Sequence, residues 1–332
     1  MSVNTHAAGM PRHAASPPPL DPGQRRKQAR QVRLGRLDLK MSPYLYVAPF
    51  FILFAVFGFF PLIYTGWVSM REWGLIKGDQ GFVGLQNFQE VLADANFWNA
   101  MLNTFGIFVV ATVPQLLLAL MLANWLNRKL RFRTALRMGI LLPNITSVAA
   151  VGIVFGFIFA DRYGLANWVL QSLSLDPVSW RGSRWASWTA IAFMVDWRWT
   201  GYNALIYLAA MQAIPRDLYE SASLDGASPT RQFWQLTVPL IQPTILFTVI
   251  ISTIGGMQLF TEPLMFNYGA AGSGSGLENF QTIAMYIYTT TFEGNFKYGL
   301  GSAMSWLLFM LIIFFALINF LLVRRSLKGS VK

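Results

Sequence analysis

The chemistry open to this chain is narrow. Cysteine is absent, and histidine occurs only as His6 and His13. Thiolate nucleophiles, disulfides and Cys-ligated metals are excluded, and both histidines lie in an N-terminal tail, so no catalytic and no metal-ligating residue is assigned. No Gly-x-x-x-x-Gly-Lys-Ser/Thr occurs, so the chain has no phosphate cradle for ATP. What remains is polar groups embedded in apolar segments. Asp196, Arg198 and Asn203 interrupt one such segment; Ser252, Thr253, Gly255, Gly256, Gln258 and Glu262 interrupt another. Polar side chains are costly against lipid and therefore line substrate paths or meet partner helices. Asp196 and Arg198 are two residues apart and do not share a helix face. Each meets water or a partner helix, or else sits at the outer interface beside Trp197 and Trp199. Gly255-Gly256 lowers helix stability and permits close backbone approach, so helix packing accounts for it as well as a path does.

The elements that carry these groups are membrane spans. The chain has 332 residues, 54% of them hydrophobic and only 12% charged, against about 25% charged in soluble domains. Six apolar segments, about 44–66, 100–126, 138–160, 187–213, 241–265 and 299–323, each reach the ~20 residues that cross a bilayer core. The expectation is an all-α integral membrane protein: a disordered basic tail (1–43), a six-span domain (44–325) and a short C-terminal tail (326–332). The segment Tyr44–Tyr64 is too long, and lies too far into the chain, for a cleaved signal. Pro114 predicts a kink in the second span. Trp67 and Trp73, with Trp180, Trp185 and Trp188, read as an outer aromatic belt. Of the 26 Lys and Arg, nineteen fall in the N-terminal tail, loops 2–3 and 4–5 and the C-terminus, six fall in the other loops, and Arg198 lies within a span. The positive-inside rule then puts both termini and loop 4–5 in the cytoplasm. The net charge of +11 is a topology signal with anionic lipid as its partner, not a nucleic-acid footprint.

Loop 4–5, residues 214–239, has its own folded pattern. Pro215 suits a helix N-terminus. Arg216–Leu224 reads as one to two helical turns, closed by Asp225 and by Gly226 in the left-handed C′ position. Ser228-Pro229 reads as an N-cap and first-turn proline of a second helix through Leu236, ended by Val238-Pro239 at the mouth of span five. An amphipathic hairpin on the headgroups is one account. Docking to a protein is the other, favoured by three acids (Asp217, Glu220, Asp225) against two bases and by a run of small residues, Ser221, Ala222, Ser223, Gly226 and Ala227.

Glu220-Ser221-Ala222, then Gly226, Leu236 and Val238-Pro239, resembles the "EAA" cytoplasmic loop of ABC importer membrane subunits, with Ser221, Leu236 and Val238 as mild departures. Trp199-Thr-Gly201-Tyr202-Asn203 through Pro215, Met257 through Pro263, and Tyr286 through Ala303 are similar to the carbohydrate-importer branch. Within it the chain resembles the first of two membrane subunits, of maltose, lactose or glycerol-phosphate type, in a compact six-span version. The resemblance covers roughly residues 40–325. It implies a type I importer permease fold in a bacterial inner membrane. The implied partners are a second permease subunit, a dimeric ABC ATPase that binds ATP and Mg, and an extracytoplasmic sugar-binding protein. It implies no cofactor in this chain. Glu220 and Gly226, with Ala222, Asp225 and Ala227 around them, would couple to the ATPase.

By the same resemblance, sugar contacts fall at Ser252, Gly255, Gly256 and Leu259 and near Gly201, Tyr202 and Asn203. Amide, carboxylate and aromatic groups suit a sugar, and Tyr202, Asn203, Gln258 and Glu262 supply them. The absence of a cationic cluster disfavours an anionic substrate, and the small side chains favour a di- or oligosaccharide. Gly269–Gly276 reads as a flexible external linker and lacks the proline of the family's Gly-Gly-Pro turn. A stand-alone gradient-driven transporter is the alternative, although no inverted repeat is evident. A membrane enzyme lacks clustered catalytic groups.

Overall fold

The computed structural model describes residues 22–128, 130–269, 276–293 and 296–329, without the side chains of 22, 24–38, 269 and 322–329. The expected linker lies mostly outside the described residues, as does the tail before Pro22. The chain divides into two compact units, one ending at Ile63 and one beginning at Tyr64.

In the first unit, α1 (Pro22–Phe54) is followed by a π-helical turn, Ala55–Phe59, and by the start of α2 (Phe60–Ser69). The expectation of a disordered tail to residue 43 is corrected from Pro22 onward. The stretch is rich in Arg, Gln, Leu and Lys, all good helix formers, and Pro22 stands at the first helical position, where its missing N–H costs nothing.

The second unit opens with a feature absent from the all-α expectation. β1 (Arg71–Gly74) and β2 (Gly78–Phe82) form an antiparallel hairpin, with Trp73 opposite Asp79. The helices α3 (Gln86–Ala93), α4 (Ala95–Leu126), α5 (Arg133–Ile145), α6 (Val148–Ile158), α7 (Leu165–Ser172) and α8 (Arg184–Gln212) follow. The hairpin is held by Asn87, which is buried and donates to the carbonyls of Ser69 (2.8 Å) and Arg71 (2.9 Å).

Among the described residues, three helices are long and apolar enough to cross a membrane: Leu39–Ser69, Ala95–Leu126 and Tyr298–Leu321. Two bent pairs raise the count to five if each is one span: Arg133–Ile145 with Val148–Ile158, at 89°, and Pro229–Leu240 with Gln242–Met257, at 68°. The six uniform spans expected are thus corrected in form. The third breaks at Thr146 and Ser147, whose backbones are extended. The fourth, α8, has 29 residues, but Asp196, Arg198 and Asn203 dilute its apolar character. The fifth ends at Met257 and restarts at Thr261. Pro114 does not interrupt α4.

The α4–α8 contact organises the centre of the unit. A Cβ on Gly106 would lie 2.2 Å from the Trp188 ring, so only glycine lets the indole seat there. The Trp188 indole N–H donates to Asn103 at 3.2 Å, and Asn103 in turn donates to the carbonyls of Glu278 and Gln281. Trp188 is therefore core (6% exposed), not belt, whereas Trp185 is 69% exposed. The difference is sequence-invisible because it depends on a glycine 82 positions away in the chain.

Candidate coupling hairpin and translocation path

Loop 4–5 folds as two short helices around a glycine corner. α9 (Arg216–Leu224) begins after Pro215 and ends at Asp225. Gly226 has φ +77°. Its N–H donates to the Ser223 carbonyl at 3.1 Å, and that of Ala227 to the Ala222 carbonyl at 2.9 Å. These are the two bonds of a Schellman cap, which satisfies the last carbonyls of the helix. Ser228 caps α10 (Pro229–Gln232), its Oγ accepting from the Arg231 N–H at 3.3 Å. A π-helical turn, Phe233–Thr237, and α11 (Val238–Leu240) complete the loop, so the expected end at Val238-Pro239 is corrected: helical structure runs through Pro239 to Leu240, because a proline in the first turn of α11 costs no hydrogen bond.

Side chains lock the two arms together. The Gln232 amide donates to Ser223 Oγ (2.9 Å) and to the Ala227 carbonyl (3.0 Å). Tyr219 and Thr237 hydroxyls lie 2.9 Å apart. Phe233 is buried beside Leu126, Tyr207, Met211 and Ile241, anchoring the hairpin to the helical body. Glu220, Asp225 and Gly226 are exposed, while Ala222 and Ala227 are half-buried. No atom lies within 4 Å of a Cβ built on Gly226. The five residues expected to couple thus form one corner, and its outer face is open.

The path residues do not share one environment. Gly201 and Gly256 serve packing: a Cβ would lie 1.8 Å from the Ile140 carbonyl oxygen at the first and 2.5 Å from the Phe108 ring at the second. Leu259 and Asn203 are buried. Tyr202, Gly255 and Gln258 are exposed, Ser252 is half-buried, and Gly255 meets nothing within 4 Å. Glu262 is occupied by another residue of this chain. Its Oε1 accepts from an Arg198 guanidinium nitrogen at 2.5 Å, with the two side chains 10% and 7% exposed. Of the alternatives for Arg198, the structure therefore shows the partner helix and not the outer interface; Asp196 has one buried carboxylate oxygen without a partner. Sequence reasoning singled out Arg198 and Glu262 but not their pairing, and it missed Tyr207, whose hydroxyl lies 2.6 Å from Thr248 Oγ1 and joins α8 to α12 (Gln242–Met257).

Residues 115–325 match the family model described as "Binding-protein-dependent transport system inner membrane component". The chain belongs to this family. It is 33% identical over 277 residues to the arabinooligosaccharides transport system permease protein AraP of Halalkalibacterium halodurans, covering 83% of this chain and 85% of that one. It is 33% identical over 290 residues to the lactose transport system permease protein LacF of Rhizobium radiobacter, covering 84% and 93%. A crystal structure of a bacterial ABC transporter that imports alginate, an acidic polysaccharide, shares the fold. Its TM-score is 0.75 at 22% identity, over 88% of this chain and 99% of that one. Membership makes the chain a non-catalytic permease component of an ABC importer that works with a binding protein. It removes the stand-alone gradient-driven alternative.

Proposed function

We propose that the chain is the six-span subunit of an ATP-driven sugar importer in a bacterial inner membrane, with both termini and loop 214–239 in the cytoplasm. The loop docks on a separate dimeric ATPase that binds ATP and Mg. A second permease subunit completes the pore, and an extracytoplasmic binding protein delivers the substrate. Rocking of the two membrane subunits, driven through Glu220 and Gly226, alternates access to the path. The observation that carries this reading is the Gly226 corner. It is internally braced, anchored by Phe233, and open on its outer face.

The substrate is a neutral di- or oligosaccharide. Support comes from AraP and LacF, named for arabinooligosaccharides and lactose, and from Arg198, whose charge is matched by Glu262. Tyr202, Ser252, Gly255 and Gln258 are the contacts left open for a sugar once Gly201 and Gly256 are assigned to packing and Asn203 and Leu259 are found buried.

The test is a mild-detergent pull-down of the tagged chain, wild type and Gly226→Asp. Asp tolerates the left-handed conformation better than most residues, and the chain itself leaves room for it. We expect the wild type to recover an ATP-binding subunit and a second multi-span protein, and the variant to insert but lose the ATPase. Recovery of the ATPase by both would overturn the docking assignment. A panel of neutral and acidic oligosaccharides, scored by ATPase stimulation, then tests the substrate class.

A further inference from the structure

The coupling hairpin closes one end of a frame whose other end is the Arg198–Glu262 pair. α8 runs into the hairpin at Gln212, and the hairpin runs into α12 at Gln242. α12 ends at Met257, and α13 (Thr261–Gly269) begins after the break at 258–260. Glu262, in the first turn of α13, returns the connection to α8 by binding Arg198 at 2.5 Å. At about 1.5 Å per residue, Arg198 to Gln212 is ~21 Å of helix and α12 is ~24 Å, so the two sides of the frame have similar length. A cross-rung joins them part-way, Tyr207 to Thr248 at 2.6 Å. The break is also held from outside the frame, where Thr282 Oγ1 donates to the Leu259 carbonyl at 2.7 Å.

A buried ion pair adds little net stability, because desolvation offsets its attraction, and apolar residues of similar size would pack as well. What it supplies is a single relative position for the two groups, enforced because either charge left alone is costly. Glu262 is doubly suited to this, since the N-terminus of α13 also favours a carboxylate. Arg198–Glu262 is the one buried ion pair among the described residues.

We propose that Arg198 and Glu262 are positioning residues for transport. They fix the far end of α12 against α8, so that movement imposed on the hairpin reaches the break at 258–260 instead of being lost as sliding of α12. The assignment rests on the importer reading above.

The test uses the whole importer, purified through this chain and reconstituted with its binding protein, and reads substrate taken up per ATP hydrolysed. A merely structural role lowers uptake and hydrolysis together and leaves that ratio unmoved. We expect Glu262→Gln and Arg198→Gln to keep binding-protein-stimulated hydrolysis while the ratio falls about fivefold or more, the low end of a typical coupling energy between sites. The reversed pair, R198E with E262R, should restore most of the ratio. An unchanged ratio in the single variants, or a ratio still low in the reversed pair, overturns the assignment. Should the neutral variants fail to insert, Arg198→Met combined with Glu262→Leu, which removes the pair without leaving a buried charge, takes their place: its ratio should fall, and an unchanged ratio overturns the assignment. A wild type whose uptake needs no ATP overturns the importer reading and this assignment with it; a wild type that couples, alongside variants that couple equally well, overturns this assignment alone.

Discussion

The Tyr219 hydroxyl lies 2.9 Å from Thr237 Oγ1, and this contact ties α9 to the π-helical turn that carries Phe233 into the core. The hairpin is therefore not a loop resting on the body of the protein. One arm presents Glu220 and Gly226 outward, and the other plants an aromatic ring inward, so force on the first is carried to the second.

Removing the ring separates these roles. Phe233→Ala deletes a side chain that is 7% exposed, and such truncations cost about 3–5 kcal/mol. We expect a lower unfolding temperature in detergent, and protease cleavage within 214–239 that the wild type resists. Wild-type resistance in the variant would show that the anchor is not Phe233.

Gly226 has a conformational role distinct from docking. Its φ of +77° is strained for alanine and tolerated by asparagine, so Gly226→Ala should destabilise the cap by about 1 kcal/mol and Gly226→Asn by less. Hydrogen exchange at the Ala227 amide, which closes the cap on Ala222, should speed up in that order. Equal rates would remove the Schellman cap as the reason for glycine.

Two glycines of the path should answer alanine differently. At Gly201 the new methyl meets the Ile140 carbonyl at 1.8 Å, whereas at Gly255 it meets nothing within 4 Å. Gly201→Ala should therefore cost about 1–3 kcal/mol from overpacking and lower thermal stability. Gly255→Ala should not lower stability, and loss of a helix glycine should raise it by up to about 1 kcal/mol, so a loss of uptake in that variant reports on the path. A stability loss at Gly255 as large as at Gly201 would contradict these environments.

The β-hairpin has a pH signature. The hydrogen bond from Arg71 holds the Asp79 carboxyl below its ordinary 3.8. A depressed carboxylate stabilises the fold fully above its unfolded pKa and loses that contribution as pH falls through the folded value. The hairpin should therefore be intact above about pH 4 and loosen at lower pH. The Gly81 N–H, which donates to Asp79 at 3.0 Å, is the reporter. Asp79→Asn should exchange there independently of pH, after correction for intrinsic rates, and a wild type that does the same would refute the assignment.

Some of this protein was written locally. Composition, apolar run lengths and the placement of Lys and Arg predicted a multi-span helical membrane protein, because lipid obliges backbone groups to pair within the segment. The hairpin was equally legible. Pro215, Gly226 and Ser228-Pro229 act through their own backbones and near neighbours, and the helices form where these residues mark them. Tertiary structure decided what depends on distant partners. Thr146, Ser147 and Gln258 are single positions at which the third and fifth spans turn, and hydropathy averages over them. Gly201 and Gly255 look alike in sequence, yet Ile140 fills the space beside only one of them. Arg198 and Glu262 are 64 residues apart. Their meeting is a consequence of the hairpin folding α12 back along α8, which no local pattern encodes.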